Sequence, residues 1–300
     1  MGDILLVNPL IQNIKRIYDD AWVVMLTPPS MVDIAKYQYG VDDVVVWDRH
    51  GQHHGWKKMF EFIWNFPYKN IFAAFPIYSG DRAIILAWLL RAKYILGIKK
   101  NVLKLLLKSK YKIEADIFKG TQGFIVNHLS GITKEELFNY PMKLSLPDAN
   151  KDAINVTKDL GEYIALCPTS SKISKDMKLE DMCYIIENLP YKIVLLGKGD
   201  SSKQLSEILA QKNYDNLIDL TNKTSYLELA SIINCSKACI SVDTGTLHLA
   251  CALNKKTVGI FYDKQYFGYK PDSAIYPNAY CNYDMTPQDI IKRLFELMNN

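Results

Sequence analysis

The sequence predicts an α/β fold built from two Rossmann-like domains with parallel sheets. Short apolar, β-branched runs alternate with helical patterns along the chain, which is typical of βαβ units. A polar stretch after Pro147 divides the 300 residues into two halves, each long enough to bury its own core. We therefore expect an N-terminal domain over residues 1–147 and a C-terminal domain over 148–300.

In the first half, apolar spacing favours five helices and three strands. The helices are predicted over 4–18, 30–38, 55–65, 81–92 and 133–140, and the strands over 21–26, 44–47 and 70–75. The second half starts a new βα series. Its strands are predicted over 163–167, 192–196, 217–220, 238–242 and 257–261, and its helices over 178–189, 202–211, 225–234, 246–253 and 287–298. The last helix has an apolar stripe, and one placement for it is back against the N-terminal domain.

Composition indicates a cytoplasmic, globular protein. No apolar run approaches the roughly 20 residues that span a bilayer, and the first residues lack the order of a secretory signal. The six cysteines form no C-x-x-C pair and have no histidine at zinc spacing, so we expect free thiols and no metal site.

The segment from Arg91 to Lys112 contains eight Lys and Arg residues and no acid. Such a segment suits an anionic partner or an anionic membrane surface, although a solvated helix face would show the same pattern. No aromatic-basic alternation or binding motif accompanies the charge, which argues against a nucleic-acid partner. The candidate residues for an anionic acceptor are Arg91, Lys93, Lys99 and Lys100.

The strand over 238–242 runs directly into Asp243-Thr244-Gly245 and then into a helix of small residues. The first N–H groups of a helix have no partner within it, and the helix dipole is positive at that end, so the junction can bind an anion. Asp243 and His248 would add polar groups beside it. The plain alternative is an ordinary strand–turn–helix junction in which Asp243 caps the helix.

The string D-T-G-x-x-H-L-A-x-A at residues 243–252, with the strand over 257–261 after it, resembles glycosyltransferase family 9, the bacterial lipopolysaccharide heptosyltransferases. This resemblance implies the GT-B fold, in which two Rossmann-like domains face each other across a cleft. It implies inverting, metal-independent transfer of heptose from ADP-heptose to a lipopolysaccharide core sugar, without a cofactor. A location at the cytoplasmic face of the inner membrane would follow from that substrate.

The segment Gly2-Asp3 to Pro9 resembles the family's G-D-x-x-x-x-x-P motif, which implies that Asp3 is the catalytic base. Judged alone, Asp3 would be a helix cap or a frayed terminal residue. The family has an apolar strand before this motif, and this sequence starts at Met1. We expect either a truncated or misassigned start, or residues 4–7 recruited as a strand, which would displace Asp3.

The loop Pro168 to Lys175 follows a strand and offers hydroxyls and lysines to phosphate oxygens. The resemblance implies that Lys175 stabilises the leaving diphosphate, with Lys172 as a competitor. The turn Gly197-Lys198-Gly199-Asp200 closes the next strand and is a candidate adenosine contact, or a plain βα turn. The full set of donor-binding candidates is Thr169, Ser170, Ser171, Lys175, Gly197, Asp200, Asp243, Thr244, Gly245 and His248.

Three other functions stay open. Phe261-Tyr262-Asp263-Lys264 stands where the family often has F-G-P-T, so the donor could be a UDP- or GDP-sugar. An inactive nucleotide-sugar-binding homologue would fit the unusual N-terminus. A sugar-nucleotide epimerase with a similar fold would convert its substrate without any acceptor.

Overall fold

The computed structural model describes residues 1–77, 80–97, 120–147, 157, 160–262 and 269–299. The chain divides into two compact units. The C-terminal unit comprises Met1–Leu5, Tyr37–Tyr39 and Pro141–Asn300, and the N-terminal unit comprises Leu6–Lys36 and Gly40–Tyr140.

The first 131 residues contain six described α-helices, four short strands and two 3-10 turns. The helices are α1 (Gly2–Leu6), α2 (Asn8–Ile17), α3 (Val32–Lys36), α4 (Gly55–Trp64), α5 (Gly80–Leu89) and α6 (Gly120–Asn127). The strands are β1 (Val24–Thr27), β2 (Asp43–Val46), β3 (Ala73–Ala74) and β4 (Tyr94–Ile95), and the 3-10 turns are Pro29–Met31 and His128–Gly131.

The strands of the N-terminal unit form two separate parallel pairs. β1 pairs with β2, with Val24 opposite Asp43, and β3 pairs with β4, with Ala73 opposite Tyr94. Within the described ranges, no strand connects the two pairs. The long helix predicted over 4–18 is interrupted at Val7, and residues 4–7 do not form the strand that was considered as an alternative.

The helix predicted over 133–140 is wrong. The buried side chain of Asn13 explains why: its amide donates to the Phe138 carbonyl at 2.7 Å, and its oxygen accepts the Phe138 N–H at 2.9 Å. Both backbone groups of Phe138 are therefore bonded to a side chain far away in sequence and are not free to join a helix ladder. The helical residues of this region lie earlier, in α6 and the 3-10 turn after it.

The second half forms one six-stranded parallel sheet with helices packed on it. Its strands are β5 (Tyr163–Cys167), β6 (Lys192–Leu195), β7 (Leu217–Asp219), β8 (Ala238–Val242), β9 (Thr257–Phe261) and β10 (Ala279–Tyr283), in the order β10-β9-β8-β5-β6-β7. Its helices are α7 (Leu179–Asn188), α8 (Asp200–Ala210), α9 (Tyr226–Cys235), α10 (Gly245–Ala252) and α11 (Pro287–Asn299), with a 3-10 turn at Ile173–Lys175.

The core of this unit lies on the three central strands. Every residue of β5, β8 and β9 is buried, as expected when helices cover both faces of a parallel sheet. The apolar face of α11 is buried in the same core, through Ile290 and Leu294 beside sheet residues such as Val258. The last helix thus packs on the C-terminal sheet.

The six cysteines are free thiols, as predicted. Among the described residues, no helix is both long enough and apolar enough to cross a membrane.

Candidate active site

A buried ion pair forms at the carboxyl edge of the C-terminal sheet. β5 and β8 are neighbours with Cys167 opposite Ser241, so the loops that follow them emerge side by side. The first loop ends in the 3-10 turn that carries Lys175, and the second begins with Asp243. Lys175 Nζ lies 2.5 Å from Asp243 Oδ2, and both side chains are about nine-tenths buried. Open α/β sheets bind their ligands at this edge.

Helix α10 starts directly beside this pair. Its N-cap is Thr244, in an extended conformation and with no capping hydrogen bond from its side chain. Asp243 is therefore not the helix cap of the plain alternative, because its carboxylate is used by Lys175. The first N–H groups of α10 and the positive end of its dipole thus lie next to a lysine ammonium group. Together they make a local environment suited to a polyanion.

His248 lies on the same helix and is buried. Burial lowers the pKa of its imidazole to about 4, despite the opposing effect of Asp243, so the ring is neutral at pH 7. Its Nδ1 atom makes no hydrogen bond to any residue that the structure describes. A buried ring nitrogen without a partner is costly, and a ligand hydroxyl would satisfy it.

The loop between β5 and α7 is held by a carboxylate that the sequence reading missed. Asp176 accepts the Ser170 N–H at 2.6 Å and also accepts the hydroxyl of Ser201. The Thr169 and Ser202 hydroxyls meet at 2.5 Å. These bonds tie the loop to the start of α8, while Ser171 is exposed at its tip. The only local signal for them was the pair Ser201-Ser202 directly after a glycine turn.

The glycine turn after β6 requires both of its glycines. A Cβ atom at Gly197 would lie 2.5 Å from Ser202 Oγ and 2.9 Å from Thr169 Oγ1. Gly199 has a φ of +101°, and its N–H donates to Asn222 Oδ1 at 2.8 Å. Asp200 follows in the first turn of α8 and is exposed. The turn therefore keeps backbone close to the Thr169 loop, where a ligand can approach.

The N-terminal residues lie against α10. A Cβ atom at Gly2 would lie 3.0 Å from His248 Cδ2, and one at Gly245 would lie 3.1 Å from the Gly2 nitrogen. Asp3 is the next residue, in the first turn of α1, and its side chain is exposed. The structure thus places an exposed carboxylate directly after Gly2, the residue that lies beside His248 on α10.

The other lysine candidates are placed differently. Lys172 is exposed and lies at the start of the 3-10 turn, whereas Lys175 is the lysine that pairs with Asp243. In the N-terminal unit, Arg91 and Lys93 are both exposed, and Lys93 Nζ lies 5.4 Å from the centroid of the Phe72 ring. The other two acceptor candidates, Lys99 and Lys100, lie outside the described residues. Within the described ranges, no three His, Cys, Asp or Glu side chains converge as metal ligands.

A family model and several solved structures resemble this chain. The family model for glycosyltransferase family 9 (heptosyltransferase) matches residues 85–281. The chain therefore belongs to glycosyltransferase family 9. No curated protein matches the sequence.

Several solved structures share the fold. A family 9 glycosyltransferase from Veillonella parvula has a TM-score of 0.85 at 16% identity, over 100% of this chain and 94% of that one. Escherichia coli ADP-heptose lipopolysaccharide heptosyltransferase II has a TM-score of 0.81 at 16% identity, over 99% and 96%. E. coli heptosyltransferase WaaC with ADP has a TM-score of 0.75 at 16% identity, over 99% and 97%. The chain has the GT-B fold and is a glycosyltransferase.

Proposed function

We propose that this protein transfers heptose from ADP-heptose to a hydroxyl of a lipopolysaccharide core sugar, with inversion at the anomeric carbon. The observation that carries the proposal is the buried Lys175–Asp243 pair beside the start of α10. That arrangement offers a positive charge and backbone donors to a diphosphate, and a carboxylate to sugar hydroxyls. The family membership supports the reaction class.

The donor would occupy the carboxyl edge of the C-terminal sheet. Its diphosphate would lie at Thr244, Gly245 and the hydroxyls of Thr169, Ser170 and Ser171, with Lys175 as the cation. Asp243 would accept hydrogen bonds from the heptose hydroxyls, and His248 would bond another through its unpaired nitrogen. The adenosine would lie along Gly197 and Asp200.

The chemistry is a single displacement. The acceptor oxygen attacks the anomeric carbon while the bond from that carbon to the diphosphate oxygen breaks, and Asp3 takes the hydroxyl proton. ADP leaves with an added negative charge, which Lys175 and the N–H groups of α10 stabilise. Since a lysine and a helix N-terminus supply this positive potential, we propose that the reaction needs no metal ion or cofactor.

The acceptor would be the anionic core of a lipopolysaccharide precursor. Its negative groups would meet the basic residues Arg91, Lys93, Lys99 and Lys100. Such an acceptor is anchored in a membrane, so the protein would work at the cytoplasmic face of the inner membrane. The crystallised WaaC with ADP is a structural relative that binds this nucleotide, which favours ADP-heptose as the donor.

A different nucleotide sugar is the second candidate. Tyr262 stands where the family motif has a glycine, directly after β9, and a bulky ring there would alter the shape of the donor pocket. The same fold could then use a UDP- or GDP-sugar. An inactive donor-binding homologue would bind nucleotide but transfer nothing.

The test is a transfer assay on heptose-free lipopolysaccharide core with ADP-heptose, UDP-glucose or GDP-mannose as donor. We expect a product heavier by one heptose with ADP-heptose alone, and its glycosidic bond should have the opposite anomeric configuration to the donor. The variant Asp3→Asn should lose turnover and keep ADP affinity. Transfer from UDP-glucose or GDP-mannose would contradict the assignment of ADP-heptose as the donor. Conversion of a nucleotide sugar in the absence of an acceptor would indicate an epimerase.

A further inference from the structure

Tyr226, the first residue of α9, lies at the carboxyl edge of the C-terminal sheet. The strands β5, β6 and β7 are neighbours, with Leu166 opposite Leu195 and Leu195 opposite Asp219. The loops that follow these parallel strands therefore emerge at one edge, and the loop after β7 leads into α9. Tyr226 thus lies at the same edge of the sheet as the loop that carries Lys175, where open α/β sheets bind their ligands.

A lysine of the glycine turn after β6 lies over the ring of Tyr226. This residue is Lys198, between the two glycines of the turn, and its Nζ atom lies 4.7 Å from the centroid of the ring. Asn222 joins the turn to the segment that leads into α9. Its N–H donates to the Gly197 carbonyl at 2.9 Å, and its side-chain amide donates to the Gly199 carbonyl at 3.2 Å. These bonds hold the turn and the start of α9 together.

The backbone that carries Tyr226 is fixed by a capping box. Ser225 Oγ accepts the Glu228 N–H at 3.2 Å, and the Glu228 carboxylate accepts the Ser225 N–H at 2.7 Å. The side chain of Tyr226 is half-buried, so one part of it packs on the protein and another part is open to solvent. A partly open aromatic ring on a fixed backbone, at the edge where the sheet binds ligands, is suited to stacking against a planar group.

Another cation–π pair of this unit is built differently. The guanidinium carbon of Arg293 lies 4.6 Å from the centroid of the Tyr280 ring, and Arg293 also pairs with Glu296 at 2.6 Å. Lys198, by contrast, is exposed and has no acidic partner among the residues that the structure describes. Since its four-carbon stem is flexible and no ion pair holds it, Lys198 can leave the Tyr226 ring without breaking a salt bridge.

We propose that the nucleobase of the donor stacks on the ring of Tyr226 and displaces Lys198 from it. This inference rests on the proposed donor site, in which the adenosine lies along Gly197 and Asp200. Since Lys198 directly follows Gly197, a base at the end of that adenosine would lie beside the ring that Lys198 covers. A stacked base gains more free energy than a cation–π contact at an exposed site, so the exchange is favourable.

Stacking makes Tyr226 a residue that determines donor specificity. A purine presents two fused rings to the tyrosine and a pyrimidine presents one, so the contact stabilises bound ADP more than bound UDP. Adenine and guanine are both purines, so Tyr226 contributes about equally to ADP and GDP. Any preference between those two nucleotides must come from other contacts.

The test is calorimetric titration of the full-length protein with ADP, UDP and inorganic pyrophosphate. In Tyr226→Ala we expect the Kd for ADP to rise about tenfold and the Kd for UDP to rise less than about threefold. The Kd for pyrophosphate should not change, because that ligand has no base. Tyr226→Phe keeps the ring and should bind ADP within about twofold of the wild type. The matched control is Tyr280→Ala, which removes the ring of the other cation–π pair and should leave all three Kd values unchanged.

Three outcomes would overturn the stacking role and leave the proposed donor site standing. They are an unchanged Kd for ADP in Tyr226→Ala, equal rises of the Kd for ADP and for UDP, and a Tyr226→Phe variant that binds ADP as weakly as Tyr226→Ala. A Kd for pyrophosphate that rises as much as that for ADP would also overturn it, because Tyr226 would then only support the fold of the site. A wild type that binds neither ADP nor pyrophosphate would instead reject the donor site itself, and the stacking role with it.

Discussion

The two units share an alternation of strands and helices but differ in how their strands are buried. In the C-terminal unit, all residues of β5, β8 and β9 are buried, and the loops after β5 and β8 carry the ion pair. In the N-terminal unit, all four residues of β2 are half-buried, and aromatic side chains such as Trp64 and Phe72 stay exposed. One unit buries its apolar residues beneath the candidate site, while the other leaves part of them exposed to solvent.

The largest effect should come from the ion pair. Lys175→Ala removes the cation that we propose binds the diphosphate, and we expect kcat to fall by about 10²–10³, or about 3–4 kcal/mol of transition-state stabilisation. The control is Lys172→Ala, an exposed lysine on the same loop, which should change kcat less than about threefold. Steady-state transfer rates check both variants, and an unchanged kcat in Lys175→Ala would contradict the assignment.

The burial contrast predicts unequal costs for the same substitution in the two units. Val258→Ala in β9 removes a fully buried side chain, and we expect it to cost about 2–3 kcal/mol of unfolding free energy. Val45→Ala in β2 removes a half-buried one and should cost about 1 kcal/mol. Urea unfolding measures the loss of unfolding free energy in each variant. Equal losses would contradict the difference in burial between the two units.

His248 makes the C-terminal unit sensitive to acid. Its folded pKa of about 4 is below the unfolded value of 6.5, so between these values the unfolded chain binds a proton and the native protein does not. This contribution to stability is fully present above pH 6.5 and is lost as pH falls. From pH 7 to pH 5 it amounts to about 2 kcal/mol. The variant His248→Gln should lose that part of the pH dependence in urea unfolding. Parallel curves for variant and wild type would show that His248 does not carry it.

The smallest effect should come from Asp176, which holds the loop between β5 and α7 in place. Asp176→Asn keeps one oxygen to accept the Ser170 N–H but loses the acceptor for the Ser201 hydroxyl. We expect the Kd for ADP to rise about 3- to 10-fold, near 1 kcal/mol, with little change in kcat. Calorimetric titration with ADP and the transfer assay separate these quantities. A fall in kcat at unchanged affinity would instead indicate a direct role in the reaction.

The sequence predicted the central sheet best, because buried parallel strands are continuous apolar runs. The predicted bounds of β5, β8 and β9 agree with the structure, and the alternation indicated the parallel sheet, while the family resemblance implied the GT-B fold. It missed β10 because Ala279–Tyr283 is partly polar and lies at the sheet edge. It also failed over 133–140, where a bond to a distant Asn13 decides the conformation.

The sequence predicted the candidate site residues that lie in one local motif. It did not predict the contacts between residues that are far apart in the sequence. Asp243 and His248 lie within one string, and Lys175 lies in a loop that ends a strand. Their meeting follows from the adjacency of β5 and β8, which no local pattern specifies. Asp176 escaped notice because one of its partners, Ser201, lies 25 residues further on. The roles assigned to Asp3, to the donor-binding residues and to the acceptor residues stay predictions.

The most direct test of the donor site is the melting temperature of the wild type and Lys175→Ala with ADP, UDP or GDP. A ligand at 100 times its Kd stabilises by about 2.7 kcal/mol, which should raise the wild-type melting temperature by several degrees. We predict such a rise with ADP, a much smaller one with UDP and GDP, and its loss in Lys175→Ala. An equal rise in the variant, or no rise with any nucleotide, would contradict the assignment of a diphosphate to the Lys175–Asp243 edge.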